Sequence, residues 1–405
     1  MTETLTTDLD LADPRLFAEH DFHDIFRDLR AHDPVHWTPD GSEPGFWSVT
    51  RYDDCHRVQM DASAFSSAAT NVLGPHRWEG DQGSGRMLTA TDGSRHTELR
   101  QLVNRSFTAR AVASLESYVR TVVRRSLDQA VDEGECDFVR IMASLPIAAI
   151  AALLGVPEDD WPLLLSLTGA AFGSADRDYR ASGSARTVAA QAHGRLLLYC
   201  QDLMQRRALS PRDDVVTRLV DAQRAGRLTE EDAMLFFDLL LLGGNETTRH
   251  GAVGAALAFA RFPAQFDQLR TQRALLPEAV TEVLRWVSPS RHVLRRAVRD
   301  VRLGDRDVRA GQDVVVWHAS ANRDERVFVD PDIFDLTRAG AAPHLAFGSG
   351  PHHCLGAALA SLELRVFLDE LCDRVTEIEI VEPPAALAST VINGFKRLRV
   401  RLATT

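Results

Sequence analysis

Phe347-Gly348-Ser349-Gly350-Pro351-His352-His353-Cys354-Leu355-Gly356 is a sharp, glycine- and proline-rich loop that leads into a helix. Residues 357–374 carry helical spacing, with Leu359, Leu362, Val366, Leu368 and Leu371 as the apolar positions. Cys354 therefore stands just ahead of a helix N-terminus, where unpaired backbone N–H groups and the positive dipole end favour an anion. A thiolate is stabilised in such a place, and the thiolate is the form that binds metal or attacks a substrate. The glycines let backbone approach something flat and bulky, and Phe347 offers a ring to cover it. On this loop alone three readings stand: a metal-binding thiolate, a half-buried cysteine without chemistry, and a zinc site drawn from His344, His352, His353 and Cys354. The zinc reading lacks a second cysteine or histidine pair at finger-like spacing.

Upstream, Thr229-Glu230-Glu231-Asp232 has the form of a capping box, and helical spacing continues to Arg261 before Pro263 stops it. At ~1.5 Å per residue this helix is about 50 Å long, enough to cross a domain. Residues 234–242 are apolar nearly all round, as in a buried helix, and Asp238 within them excludes a membrane span. Gly243-Gly244-Asn245-Glu246-Thr247-Thr248 follows. A glycine inside a helix costs about 1 kcal/mol against alanine, so a flat group or diatomic ligand against the backbone is a reason for two. Thr247 can bond back to the carbonyl of Gly243 and open the helix locally. Glu246 beside it completes an acid–alcohol pair suited to passing protons. The plainer alternative is a kinked core helix with a buried polar cluster.

Together these stretches resemble the cytochrome P450 superfamily, in its soluble bacterial, haem-thiolate monooxygenase form. The loop follows that family's haem signature, Phe-Gly-x-Gly-x-x-x-Cys-x-Gly, without a departure. The helix follows its oxygen-activation motif, Ala/Gly-Gly-x-Asp/Glu-Thr. The resemblance implies a mainly α fold with small β-sheets, one domain over residues 1–405, and haem b (iron protoporphyrin IX) between the long helix and the Cys354 loop. It implies Cys354 as the axial metal ligand, with Phe347, Gly348, Gly356, Gly243 and Gly244 against the macrocycle. Propionates would be met by His96, Arg100, Arg295 and His352. Glu246 and Thr247 become the catalytic pair, because reductive cleavage of O2 consumes protons.

Other segments fall into place around this frame. His96 and Arg100 are four apart and share a helix face behind a capping Asp92 or Ser94. Gly93 replaces the family's usual proline and is expected to leave that face undisturbed. Glu282-Val283-Leu284-Arg285 matches the family's Glu-x-x-Arg motif, which with Arg338 implies a buried structural trio. Residues 66–90 read as loop. In the family this segment roofs the haem, so Leu73, Trp78, Met87 and Leu88 are candidate substrate-lining residues. Residues 290–298 read as a strand, in which Arg291, His292 and Val293 are expected to face the pocket and meet an acceptor on the substrate. The alternative is that the two polar ones reach solvent or a propionate. Residues 171–184, small and polar, suit a lid connection. Residues 17–30 and 52–61 read as helices, and residues 35–37 and 45–49 as strands of a minor sheet.

Composition narrows the function classes. At 405 residues, 45% hydrophobic and 25% charged, the chain is ordinary globular protein, and its net charge of −11 argues against non-specific nucleic-acid binding. Lys396 is the only lysine. Cys55, Cys136, Cys200, Cys354 and Cys372 show no disulfide framework, which points to a reducing cytoplasm. No signal pattern opens the chain, and no run approaches the ~20 apolar residues of a membrane span. There is no flavin or nicotinamide motif, so the resemblance implies a ferredoxin and its reductase as electron donors, with Arg95, Arg105 and Arg365 as candidates for a basic docking patch. The expected activity is insertion of one oxygen atom of O2 into a C–H or C=C bond of a small organic substrate, by a monomer, in secondary metabolism. Two alternatives remain: a peroxide-driven peroxygenase, which usually replaces the acid–alcohol pair, and a non-catalytic haem protein, which needs no proton relay.

Overall fold

A computed structural model of the chain describes residues 9–40, 43–73, 83–179, 183–338 and 343–404. Trp78 lies outside them. The long helix runs from Glu230 to Arg261 and begins with the expected capping box: Thr229 Oγ1 accepts from Asp232 N (3.0 Å) and Asp232 Oδ2 from Thr229 N (3.2 Å). Around it pack the helices Ser144–Leu154, Trp161–Gly173, Ala185–Leu209, Leu276–Val287 and Ala357–Arg374. Small residues set how closely they approach. A Cβ at Gly254 would fall 2.6 Å from Val287, and one at Gly251 would touch Leu364 at 3.4 Å. Val253, Leu257 and Phe259 of the long helix join Val283, Val366 and Phe367 in the main apolar cluster. Burying each such side chain contributes about 1.5–3 kcal/mol. Asp238 is tolerated inside this helix because His193 Nδ1 pairs with it at 2.8 Å. No described helix is long and apolar enough to cross a membrane.

The largest sheet orders its strands as Val35–Asp40, Glu43–Val49, Asp313–Trp317, His292–Ala297 and Phe65–Ser66. The first two form an antiparallel hairpin, the second and third pair in parallel, and His292 stands opposite Trp317 in an antiparallel register. Successive side chains point to opposite faces. Leu294, Val315 and Trp317 accordingly join one apolar cluster with Phe17 and Phe26, while Val293, Val314 and Val316 join another.

The N-terminal helix is split rather than continuous over residues 17–30. Leu16–Glu19 and Phe22–His32 are separate because Asp21 caps the second, accepting from His23 N at 3.0 Å. The helices Trp161–Gly173 and Ala185–Leu209 flank the stretch read as a lid connection. Between them Asp176 accepts from Ala388 N and from Lys396 Nζ, both at 3.2 Å, and Lys396 also reaches Asp178 at 2.7 Å. The lone lysine thereby ties the lid connection to the hairpin of Ala385–Ala386 and Phe395–Arg397.

Candidate active site

The Cys354 loop owes its shape to backbone that only glycine adopts readily. Gly348 and Gly350 lie at φ +66° and +71°, and a Cβ at Gly350 would fall 2.6 Å from the Gln59 carbonyl oxygen. Cys354 N–H donates to Phe347 O at 2.8 Å, and Ser349 N–H to Gln59 Oε1 at 2.9 Å. Four cysteines are buried and Cys354 alone is exposed, just ahead of the helix Ala357–Arg374. Burial pushes the thiol above its ordinary value, and the Gly356 N–H and the Arg100 charge pull back only partly. The thiolate is the form that binds a metal cation. Among the described residues no group of three or more His, Cys, Asp or Glu could hold a metal ion, which leaves the zinc reading without its ligands.

On the long helix, Leu239, Gly243 and Thr247 stand at intervals of four and are incompletely buried, a stripe on one face with half-buried Gly244 beside it. The two glycines have different reasons. A Cβ on Gly244 would press on Ile150 of a neighbouring helix at 3.1 Å, whereas Gly243 has nothing within 4 Å and is exposed. Only Gly243 presents bare backbone to an open face. Thr247 Oγ1 donates to Gly243 O at 2.9 Å, the back-bond read from the sequence.

Cationic and donor groups gather from three elements. His96, on Gly93–Val103, is buried with its ring 4.2 Å from that of His352, and its Nε2 has no partner. Arg100, one turn on, donates to Pro351 O at 3.3 Å. Arg295 is buried, bonded only to its neighbour's carbonyl, Leu294 O, at 2.8 Å, and pairs with no acid among the described residues. Burial lowers it to about 10, with Asp92 opposing. His96 falls to about 4 through burial and the charges of His352 and Arg100. An unpaired buried arginine and an orphaned imidazole nitrogen call for an anion. An exposed thiol beside flat glycine backbone suits a metal in a planar ring. The donor set therefore fits haem, with its two carboxylates.

Asp92 departs from its expected role. It occupies the N-cap position but makes no side-chain cap. Its carboxylate instead takes Ser66 Oγ, Ser67 N and, at 3.3 Å, His352 Nε2. Burial pushes this carboxyl up, and those three hydrogen bonds outweigh it, holding it well below the usual carboxylate range. Gly93 next to it sits at φ +59°, which a proline ring cannot adopt, so the substitution does change how the chain enters this helix.

Glu246 is 1% exposed and turned into the protein. Its Oε2 accepts from Arg249 Nη2, and its Oε1 from Asn245 Nδ2 (3.1 Å) and Thr168 Oγ1 (3.3 Å). Burial raises its pKa, while the Arg249 charge and the Thr168 hydroxyl hold it down. Arg249 was not singled out from the sequence, although its place three residues after Glu246 is a spacing that could have found it. Thr168 and Asn245 carried no such signal, nor did Gln59.

Glu282 and Arg285 form a buried bidentate pair, both contacts at 2.7 Å, and Arg338 Nε adds contacts to both carboxylate oxygens at 3.3 Å. Arg285 also donates to the carbonyls of Asn322 (2.9 Å), Pro331 (2.8 Å) and Ile333 (3.2 Å). The expected pocket-facing trio is not brought together. Arg291 lies against the rings of Phe17 and Phe22 and donates to Ser389 O and Ile392 O. His292 is spent on Thr390 O (2.9 Å) and on Leu73 N, whose N–H it accepts at 2.9 Å. Val293 points to the other face of the strand, half-buried beside Val316. A strand cannot aim neighbouring side chains at one pocket. Leu73 and Leu88 are buried in separate apolar clusters, and Met87 is half-buried.

Residues 255–374 match the family model described as cytochrome P450. The chain is 36% identical over 397 residues to cytochrome P450 NovI of Streptomyces niveus, across 97% of this chain and 96% of that protein. It is 34% identical over 405 residues to linalool 8-monooxygenase of Pseudomonas putida, across 97% and 98% respectively. Its fold matches the crystal structure of P450 OxyD, which is involved in the biosynthesis of vancomycin-type antibiotics, with a TM-score of 0.90 at 37% identity, covering 98% of this chain and 100% of that one.

Proposed function

The chain belongs to the cytochrome P450 family, and from that premise we propose how its residues divide the work of a haem-thiolate monooxygenase. The overall reaction takes a substrate C–H or C=C bond, O2, two electrons and two protons, and yields oxygenated product and water. Haem, when bound, supplies the redox chemistry that splits O2 between substrate and water. In our reading Cys354 would hold the iron through its thiolate, a ligand that would supply electron density to it. Phe347, Gly348 and Gly356 shape the loop that would hold the haem, and Gly243 would offer it bare backbone from the long helix. His96, Arg100, Arg295 and His352 take the propionates. Thr247 holds a hydroxyl on the exposed stripe of the long helix and passes on protons that Glu246 supplies. Glu282, Arg285 and Arg338 are structural, clamping the segment that leads to the loop.

The observation that carries this reading is the exposed Cys354 on its glycine loop, together with a buried arginine, Arg295, and a buried histidine, His96, that have no anionic partner among the described residues. The carbon monoxide difference spectrum of the dithionite-reduced protein tests it. A strongly red-shifted Soret band is expected, and it should vanish in Cys354→Ser. A normal haem band in folded protein overturns the ligand assignment.

We further infer a single domain, a cytoplasmic monomer, and a ferredoxin with its reductase as electron source. Arg95 and Arg365 are committed to Asp232 and Glu116, so Arg105 and the exposed Arg110 are better docking candidates. Similarity to OxyD supports a small organic substrate from secondary metabolism.

A further inference from the structure

Glu246 has four polar neighbours that differ in what they can do. Arg249 offers only N–H donors, and Asn245 turns only its amide N–H toward the carboxylate, leaving its buried Oδ1 without a partner. His250, 3.7 Å from Oε2, also has an unpartnered Nε2, and burial keeps it well below its ordinary pKa and neutral. Donors alone suit an ionised carboxylate. Thr168 is different, because a hydroxyl both donates and accepts. Its Oγ1 has two acceptors at equal distance, Glu246 Oε1 and the carbonyl of Leu165 in its own helix, both 3.3 Å away. It also accepts from Asn245 Nδ2 at 2.8 Å. The one hydroxyl hydrogen can serve either acceptor. Turned to Glu246 it stabilises the carboxylate. Turned to Leu165 it frees an oxygen lone pair for a protonated Glu246.

Thr168 belongs to Trp161–Gly173, the first lid helix, and its side chain is fully buried. We propose that Thr168 is a positioning residue that lets Glu246 alternate between ionised and protonated forms, so that the seating of the lid helix governs proton supply to Thr247. This rests on the reading of Glu246 and Thr247 given above. Besides Arg249 and His250 on the long helix, the titratable group facing this cluster is Tyr179, from the turn after the lid helix. The neighbouring Ser144–Leu154 sets apolar Ile150 against Gly244, two residues before Glu246. Among the described groups hydrogen-bonded to Glu246, Thr168 is the one whose single atom can both donate to it and accept from it.

The test compares Thr168→Val, Thr168→Ser and Glu246→Gln in haem-loaded protein whose carbon monoxide spectrum is native. One readout is the infrared carboxyl stretch across pH. Glu246→Gln should delete a protonated-carboxyl band, Thr168→Val should move it to higher frequency, and Thr168→Ser should leave it near its original place. The second readout is peroxide released per NADPH oxidised, driven by a plant-type ferredoxin and its reductase, across the same pH range. Thr168→Val should displace this profile and Thr168→Ser restore it, whereas loss of packing alone would leave the pH dependence in place. If Glu246→Gln alters band and profile but Thr168→Val alters neither, the inference about Thr168 is wrong and the relay stands. If Glu246→Gln alters neither, the relay itself falls.

Discussion

Two segments of this protein carry the same spacing, an acid followed three residues later by an arginine, and bury it in the same way. Glu282 and Arg285 are 4% and 2% exposed, while Glu246 and Arg249 are 1% and 7% exposed. They differ in how completely they are satisfied. Arg285 spends its remaining donors on three backbone carbonyls of one irregular segment, and Arg338 closes the other side of Glu282. At the second pair, Arg249 Nε, Asn245 Oδ1 and His250 Nε2 are buried without partners. A saturated ion pair fixes a loop in one geometry. An unsaturated one keeps polar capacity in reserve, where a proton or a conformational change can use it.

The largest expected effect tests the saturated side. Glu282→Ala leaves buried Arg285 and half-buried Arg338 without their acid and should cost about 3–5 kcal/mol in urea unfolding, with loss of haem. Arg249→Leu should cost less, about 1–3 kcal/mol, because burial already favours protonated Glu246 and the carboxyl can neutralise itself. Equal costs for the two would break the contrast. Thr247→Ala should barely move stability, since its hydroxyl bonds only its own helix, yet peroxide per NADPH should rise several-fold with the carbon monoxide spectrum intact. Unchanged coupling would remove Thr247 from the relay.

The smallest effect sharpens the comparison with a third buried acid, one that has no arginine. Glu363 is 1% exposed with Oε2 unpartnered, and burial raises its pKa well above the usual carboxylate range. A carboxyl raised in the folded state leaves stability intact below its unfolded pKa and drains it as pH climbs toward the folded one. Glu363→Gln should therefore match the parent at acid pH and become relatively more stable from about pH 5 upward. Parallel stability curves over that range would show that Glu363 is paired in solution.

What the sequence revealed was local or tightly patterned. The Thr247 back-bond and the Thr229 capping box depend on spacings of three and four residues, and both are present. The helical fold and its family followed from motifs of that kind. What it concealed depends on packing between distant segments. The spacing of Glu246 and Thr247 said nothing of the lid helix that claims one carboxylate oxygen. Arg291 and His292 looked like pocket residues because nothing local announces Phe17, Thr390 or Ile392 as partners. Gly243 and Gly244 read alike until Ile150 separated them.

Lys396 carries a practical consequence. In a chain whose other long cations are all arginine, the bridge to Asp176 and Asp178 is its only side-chain primary amine. Acylation there removes the charge both aspartates share. An amine-reactive fluorophore, which decorates most proteins at random, would among the side chains settle at this one address, the seam between lid connection and C-terminal hairpin. Its labelling rate would then report how far the two aspartates shield that amine.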